Sequence, residues 1–343
     1  MSRRDVAEYR ARLARAQAGM EAAGLGALLL TTEAEFRYFS GFLTGFWESP
    51  SREWFLVIPA TGDPVALLAD VLREAGGPVG VPSGAETHLR MPLADFARLK
   101  AAMSGLDFTD DRGIIAGLRA VKSEAETACI ARACAAAGRA FDRVGEIAEE
   151  GVPLDAVFRD FQRLLLEEGA DFVPYLVGGA GPEGYTDVIS PAGAQALKAG
   201  DVLMLDTGAV CDGYFCDFDR NFAIGHARAA SRAAHARLTE AVQTGMAAAR
   251  PGARACDVWL AMADIVGAGN GRLGHGLGMQ VTEGLSLRDG DATLLVPGMV
   301  ITLEPVIATA PGRIMVHEEV IAITDGAPRA LSPLAGPELP VIG

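Results

Sequence analysis

The chain has 343 residues, 50% of them hydrophobic, and this length and composition are typical of two domains with sizeable cores. Its 44 acidic residues against 30 basic ones give a net charge of -14, which argues against nucleic acid or an anionic membrane as a partner, because both need a basic face. The five cysteines lack the spacing of a zinc site, and neither a signal-peptide pattern nor a membrane-length apolar run is present. We therefore expect a cytoplasmic protein with reduced thiols.

The first third of the chain predicts a small α/β domain over residues 1–118. An amphipathic helix over residues 2–23 precedes a buried strand at residues 27–30. An aromatic and basic segment over residues 42–54 follows and contains Trp47 and Arg52. This segment is either a lid over a binding site or a core corner of the domain.

A second domain is predicted over residues 119–343. Ser123 and Glu126 have the spacing of a capping box at the start of an alanine-rich helix. From there the patterns give two helices and a strand-turn-strand unit, and then the same order again. This order predicts two similar halves related by a pseudo-twofold axis.

The stretch from Gly200 to Arg220 concentrates acids where apolar residues are expected. A buried strand over residues 202–205 leads to Asp206, and the dipeptide Asp212-Gly213 is a strong signal for a two-residue hairpin turn. The register of that hairpin places Asp206 opposite Asp219, with Asp217 diagonally beside them. Two carboxylates about 4 Å apart repel by roughly 4 kcal/mol at an effective dielectric of 20, so the cluster must take up protons or hold a cation.

A second stretch repeats this pattern. The run from Gly298 to Glu304 again places an acid six residues after a glycine, and a further strand from Arg313 carries Glu318. Between the two units, His275 lies in the sequence Gly-His-Gly-Leu-Gly, where the backbone can approach closely. Several carboxylates and one imidazole suit Mn(II), Co(II), Fe(II) or Zn(II) better than Ca(II) or a thiolate-bound metal.

These motifs resemble those of the creatinase, prolidase and aminopeptidase P superfamily. The family motif Gly-Tyr-x-x-Asp matches residues 213–217, Gly-His-Gly-x-Gly matches residues 274–278, and Gly-Met-Val-x-Thr-x-Glu-Pro matches residues 298–305. The resemblance implies an α+β protein with a C-terminal pita-bread domain, built on a pseudo-twofold repeat, and a smaller creatinase-type α/β domain before it. It also implies five metal ligands: Asp206, Asp217, His275, Glu304 and Glu318.

The resemblance further implies two divalent metal ions, with Mn(II) as the first candidate. Asp206 would belong to one ion, His275 and Glu304 to the other, while Asp217 and Glu318 would bridge them. A water activated between the ions as hydroxide would attack an amide carbonyl, and Glu304 could relay the proton. His275 and Glu304 are thus the residues assigned to catalysis.

Departures from the peptidase pattern cluster at the predicted pocket. Thr282 stands where family peptidases carry a second histidine, the segment from Tyr185 to Pro191 lacks another, and Asp219 replaces the threonine of Asp-x-Thr-Arg. We therefore assign Tyr185, Thr282 and Asp219 to substrate binding. The functions left open are a hydrolase similar to Xaa-Pro aminopeptidase or prolidase, a hydrolase or lyase for a zwitterion related to creatine, ectoine or dimethylsulfoniopropionate, and an inactive binding module.

Three expectations concern neighbours of these residues. Glu319 is expected to be a solvated neighbour of Glu318, His317 to be structural, and His235 to lie on the surface.

Because the N-terminal domain of relatives often reaches the partner's active site, the resemblance also implies a homodimer in which Trp47 or Arg52 approaches the neighbouring pocket. The expected substrate is a small molecule or short peptide.

Overall fold

The computed structural model describes residues 6–42, 47, 54–65, 72, 76–84, 87–189, 191–267 and 271–343. The chain divides into two compact units, Met1–Arg119 (unit 1) and Ala120–Gly343 (unit 2). This division falls next to the boundary expected from the sequence. All five cysteines are free, and four of them are buried.

Unit 1 is built on a four-stranded sheet in the order β2-β1-β3-β4. The strands are β1 (Ala27–Leu30), β2 (Leu56–Pro59), β3 (Val79–Val81) and β4 (Phe108–Asp110). The helices are α1 (Val6–Ala23), α2 (Glu33–Ser40), α3 (Leu93–Ala102) and α4 (Ile114–Ala120). All four residues of β1 are buried, because β1 is an interior strand, antiparallel to β2 and parallel to β3.

The described aromatic residues of the segment, Phe42, Trp47 and Trp54, pack around Phe36 in unit 1. Trp47 is only 2% exposed, and its ring centroid lies 5.5 Å from that of Phe36 and 5.8 Å from that of Trp54. Such tilted and edge-on pairs are the arrangement that aromatic quadrupoles favour. Trp47 is therefore occupied by packing within unit 1, while Arg52, the other residue predicted for a lid, lies outside the described residues.

Unit 2 contains the remaining elements. Its helices are α5 (Glu124–Asp142), α6 (Leu154–Glu167), α7 (Ala229–Ala248) and α8 (Ala255–Val266), with a 3₁₀ turn at Val144–Glu146. Its strands are β5 (Leu176–Pro182), β6 (Asp201–Thr207), β7 (Val210–Cys211), β8 (Tyr214–Phe215), β9 (Phe218–Ile224), β10 (Val300–Leu303), β11 (Val306–Ala310), β12 (Arg313–Val316), β13 (Glu319–Ala322), β14 (Arg329–Ala330) and β15 (Val341–Ile342). The predicted capping box of Ser123 and Glu126 opens α5.

The strands of unit 2 follow the predicted repeat. One sheet has the order β15-β9-β6-β5 and another the order β10-β13-β14, with β7-β8 and β11-β12 as separate two-stranded ribbons. Gly200 and Gly298, which start the two glycine-to-acid runs, have φ values of 85° and 92°. Both runs therefore begin at a left-handed position that favours glycine, so the sequence repeat is also a repeat in backbone conformation.

The predicted turn and register are present. Asp212 and Gly213 have φ values of 49° and 80°, as a type I′ turn requires, and they connect β7 to β8. On the adjacent pair β6-β9, Asp206 lies opposite Asp219. Among the helices that the structure describes, none combines the length and the apolar character that a membrane crossing requires.

Candidate metal centre

Four of the five predicted metal ligands lie at the ends or interruptions of strands in unit 2, and the fifth, His275, lies on a neighbouring segment. Asp206 is near the end of β6, Asp217 lies just before β9, Glu304 follows β10, and Glu318 lies between β12 and β13. His275 comes from a segment that runs along β10, since the Thr302 N–H donates to the His275 carbonyl at 2.7 Å. In an uninterrupted strand, successive side chains point to opposite faces, so only every second one points inward. At a strand end or interruption this alternation is broken, and adjacent side chains can both point inward.

Asp217, His275 and Glu318 form the tightest part of the centre. The His275 Nε2 atom lies 3.4 Å from Asp217 Oδ2 and 3.7 Å from Glu318 Oε1. Each residue offers one ligand atom, and these atoms all lie within 4.8 Å of one another. All three side chains are buried. A single ion between them could therefore contact two carboxylates and one imidazole.

The ring of His275 is oriented by its own segment. Its Nδ1 atom lies 3.0 Å from the Gly276 carbonyl oxygen, so a proton on Nδ1 would be donated there and would leave the Nε2 lone pair for a metal ion. The flanking glycines make this close fit possible. A Cβ atom on Gly274 would lie 2.2 Å from the main-chain oxygen of Thr302, and one on Gly276 would lie 2.0 Å from the main-chain oxygen of Glu283. Both distances are too short for a side chain, so only glycine fits at these positions.

Burial and mutual repulsion raise the pKa values of the carboxyl groups. Burial is the main cause of the raised pKa of Asp206, and the charges of Asp217 and Asp219 add to it. The pKa of Glu318 is raised by burial and then by Asp217 and Glu304. Burial also raises the pKa of Asp217, with partial compensation by His275, and raises that of Glu304 to about 7.

Three buried oxygen atoms of the cluster have no hydrogen-bond partner among the described residues: Asp206 Oδ1, Asp217 Oδ1 and Glu318 Oε1. A buried carboxylate oxygen without a partner is costly, because the low dielectric of the interior does not replace its hydration. Divalent cations held by these carboxylates would supply the missing partners. The donor set of carboxylate oxygens and one imidazole nitrogen therefore fits a divalent metal.

Comparison with known proteins assigns the family. Residues 128–325, more than half of the chain, match the model of metallopeptidase family M24. The chain belongs to metallopeptidase family M24. Residues 12–78 match the creatinase/prolidase N-terminal domain, which identifies unit 1 as the domain that precedes the M24 domain.

Individual relatives cover most of the chain. The chain is 29% identical to the probable dipeptidase PepE of Mycobacterium tuberculosis over 95% of both chains, and 27% identical to the Xaa-Pro dipeptidase of Pyrococcus horikoshii over 72% of both. The crystal structure of dipeptidase PepE from Mycobacterium ulcerans covers 99% of this chain and all of its own, at 27% identity and a TM-score of 0.85. The prolidase of Thermococcus sibiricus has the same fold, with a TM-score of 0.84 at 22% identity.

These findings confirm the predicted superfamily and fold. The M24 domain of unit 2 has the pita-bread fold, and the creatinase-type domain precedes it. As a member of family M24 with dipeptidase relatives, the protein is a metal-dependent hydrolase.

One residue of the M24 centre was not found from the sequence. Tyr175 donates its hydroxyl to Asp206 Oδ2 at 3.3 Å. Burial raises the pKa of this phenol, and the carboxylates of Asp206 and Asp217 raise it further, so Tyr175 stays protonated and remains a donor. It lies just before β5, which pairs with β6, and only this long-range pairing brings it to Asp206.

Two of the three residues assigned to substrate binding within unit 2 are fully buried. Asp219 is 1% exposed, and donors from the protein face both of its carboxylate oxygens. The hydroxyl of Tyr185, also 1% exposed, donates to Asn221 Oδ1 at 3.2 Å and accepts from the Val316 N–H at 2.6 Å. The structure therefore does not bring Asp219 or Tyr185 to an open face of the centre, because protein partners already occupy their polar atoms.

The third residue, Thr282, is half-buried. Its neighbour Glu283 is buried and forms an ion pair with Lys122, with 3.0 Å between Glu283 Oε1 and Lys122 Nζ. A buried pair of this kind is costly to break, because the remaining charge would be left without compensation. The Lys122–Glu283 pair therefore fixes the chain on the C-terminal side of Thr282.

The expectations for Glu319 and His235 were wrong. Glu319 is 1% exposed, because the chain is interrupted before β13 and both acids of the Glu318-Glu319 pair turn into the protein. His235 is 2% exposed on α7, its Nε2 atom lies 3.1 Å from the Gly336 oxygen, and burial lowers its pKa to about 4.

His317 lies between two acids, in agreement with its expected structural role. Its Nδ1 is 3.3 Å from Asp219 Oδ1, and its Nε2 is 3.2 Å from Glu319 Oε1. Burial alone would lower the pKa of His317, but the two carboxylates outweigh burial and raise it.

Proposed function

We propose that this protein is a dipeptidase that uses two divalent metal ions and hydrolyses dipeptides, Xaa-Pro dipeptides among them. The observation that carries the proposal is the buried cluster of Asp217, His275 and Glu318, in which each carboxylate has an oxygen with no hydrogen-bond partner among the described residues. The similarity to PepE over 95% of both chains supports dipeptides as the substrate class.

The residues that would hold the ions are Asp206, Asp217, His275, Glu304 and Glu318. Mn(II) is the first candidate, and Co(II), Fe(II) and Zn(II) suit the same ligands. When bound, such ions supply Lewis acidity, which polarises a carbonyl group and makes water a nucleophile at neutral pH. Because four carboxylates are present, their charge favours uptake of two divalent ions over one.

The protein's own groups provide orientation and a proton acceptor. Burial raises the pKa of Glu304, the half-buried acid of the set, to about 7 in the metal-free protein. In this proposal Glu304 takes a proton from water and passes it to the leaving amine, as the family resemblance implies. The Tyr175 hydroxyl holds one oxygen of Asp206 and leaves the other for a ligand.

A second candidate substrate class is a small zwitterionic metabolite. It is favoured by Thr282 in place of the family's second histidine and by the lack of any histidine between Tyr185 and Pro191. In the family these histidines help to hold the substrate amide and the tetrahedral intermediate. A site without them suits a substrate that is bound through its charges.

A substrate screen distinguishes the two candidates. Purified protein supplemented with Mn(II) is incubated with Xaa-Pro dipeptides, other dipeptides, cyclic amidines, guanidino acids and sulfonium zwitterions, and products are measured by mass spectrometry. An Asp217→Ala variant serves as the control for contaminating peptidases. Turnover of dipeptides by the wild-type protein but not by Asp217→Ala supports the proposal. Turnover of the zwitterions without turnover of dipeptides refutes it.

The oligomeric state belongs to the same proposal. We propose a homodimer, as the family resemblance implies, with a cytoplasmic location. Light scattering coupled to gel filtration at micromolar concentration tests the assembly directly. A mass near 35.8 kDa, that of one chain, would contradict it.

A further inference from the structure

Asp219 differs from the threonine of the family motif and is the centre of a buried polar network. Its Oδ1 atom accepts the Glu318 main-chain N–H at 2.6 Å, and its Oδ2 atom accepts from Asn221 Nδ2 at 3.1 Å. His317 Nδ1 lies 3.3 Å from Oδ1. Two hydrogen-bond donors, Asn221 Nδ2 and the Glu318 N–H, therefore meet at this carboxylate, and the His317 ring lies beside it.

This network lies at the interruption between β12 and β13, the segment that carries Glu318. On one side of the interruption, the Val316 carbonyl accepts from Asn221 Nδ2 at 2.7 Å, and the Val316 N–H donates to the Tyr185 hydroxyl. On the other side, Asp219 holds the Glu318 N–H. Side chains of β9 thus contact the main chain on both sides of His317, in addition to the hydrogen bond that the His317 N–H donates to the Pro305 oxygen.

The far side of His317 is braced as well. Its Nε2 atom lies 3.2 Å from Glu319 Oε1. Glu319 in turn accepts from the Ala335 N–H at 2.8 Å and from Arg220 at 3.1 Å. The order of contacts is therefore Arg220, Glu319, His317, Asp219 and the main chain of Glu318.

We propose that Asp219, braced by His317 and Glu319, is a positioning residue that fixes the main chain at Glu318 and thereby sets the geometry of the metal centre. This inference rests on the proposed metal site. It replaces the substrate contact expected for Asp219 and explains why an acid stands at this position.

Only a carboxylate meets the demands of the site. It accepts hydrogen bonds on both oxygens, whereas an asparagine amide has one accepting oxygen and one donating nitrogen. In Asp219→Asn, an oxygen kept for the Glu318 N–H would leave the amide nitrogen facing the Asn221 Nδ2 donor. The opposite orientation would leave the Glu318 N–H without an acceptor, and a threonine offers one oxygen for the donors that two oxygens now accept.

The test compares Asp219→Asn with Asp201→Asn in the full-length protein. Asp201 is also a buried acid, and its carboxylate accepts from the Lys198 N–H at the start of β6, five residues before Asp206. Each metal-free protein is titrated with MnCl₂ by calorimetry, its Co(II) form is examined by visible absorption, and its melting temperature is measured.

We expect Asp219→Asn to weaken Mn(II) binding by about 10- to 100-fold and to change the Co(II) absorption bands, as loss of a group that orients ligands does elsewhere. Asp201→Asn should bind Mn(II) like the wild-type protein. His317→Asn should weaken binding in the same direction, and the double variant should be no weaker than Asp219→Asn, because both residues act on one main-chain segment. His317→Asn carries the same test if Asp219→Asn is recovered only unfolded.

Two results overturn the inference alone. One is unchanged Mn(II) affinity and an unchanged Co(II) spectrum in Asp219→Asn. The other is an equal loss of affinity in Asp201→Asn, which would indicate a general effect of replacing a buried acid. If the wild-type protein itself binds no Mn(II), the proposed metal site fails and the inference fails with it.

Discussion

Glu304→Gln is expected to stabilise the metal-free protein at pH 8 while weakening its hold on metal. Burial raises the pKa of Glu304 to about 7, against 4.5 for an ordinary glutamate. The folded protein therefore binds this proton more tightly than the unfolded chain does. As the pH rises from 4.5 through 7, the wild-type protein loses stability without metal, because it must fold around an unfavourable charge.

The magnitude follows from the two pKa values. The gap between about 7 and 4.5 corresponds to about 3 kcal/mol once the pH exceeds the higher value. At pH 5 most of the folded protein is protonated at Glu304, so the cost is under about 1 kcal/mol. Glutamine has no charge to bury, and for a domain of this size 3 kcal/mol corresponds to a rise in melting temperature of about 6 to 12 °C.

The assay is guanidinium denaturation followed by circular dichroism, in EDTA, at pH 5 and pH 8. Glu240→Gln, at an exposed position on α7, is the control and should match the wild-type protein at both pH values. With excess Mn(II) the wild-type protein should be more stable than Glu304→Gln, because it binds the metal more tightly and ligand binding stabilises the folded state. If Glu304→Gln is no more stable than the wild-type protein at pH 8 in EDTA, the reasoning about the cluster is refuted.

Three other substitutions test separate parts of the centre. Asp217→Ala should abolish turnover and lower the metal content measured by mass spectrometry, and full metal occupancy with full activity would show that Asp217 is not a ligand. Tyr175→Phe removes the hydroxyl that holds Asp206 and should weaken Mn(II) binding about tenfold in calorimetry, whereas an unchanged affinity would exclude this orienting role. Lys122→Met removes the cation of the buried Lys122–Glu283 pair and should cost about 3 to 5 kcal/mol in guanidinium denaturation, with most of the loss recovered in Lys122→Met/Glu283→Gln. A cost below about 1 kcal/mol would contradict that reading of the pair.

Much of the second domain could be predicted because its signals are local. The turn at Asp212-Gly213 depends on two residues that accept positive φ, and the register that places Asp206 opposite Asp219 follows the pairing of β6 with β9. The glycine-to-acid runs could be recognised because Gly200 and Gly298 have similar backbone conformations.

The remaining features depend on contacts between distant segments. Tyr175 reaches Asp206 only because β5 pairs with β6, which no short pattern indicates. Glu319 was expected in solvent because an unbroken strand would turn it away from Glu318, but the chain is interrupted before β13. The proposed role of Asp219 could not be predicted from the sequence either, because its partner His317 lies 98 residues further along the chain.

The most direct test of the central claim is a calorimetric titration of the metal-free protein with MnCl₂, with the bound metal confirmed by elemental analysis. We predict two ions per chain, with protons released on binding because burial holds the cluster's carboxyl pKa values above their ordinary range. Absence of binding by Mn(II), Co(II) and Zn(II), or undiminished binding in Asp217→Ala, would contradict the account.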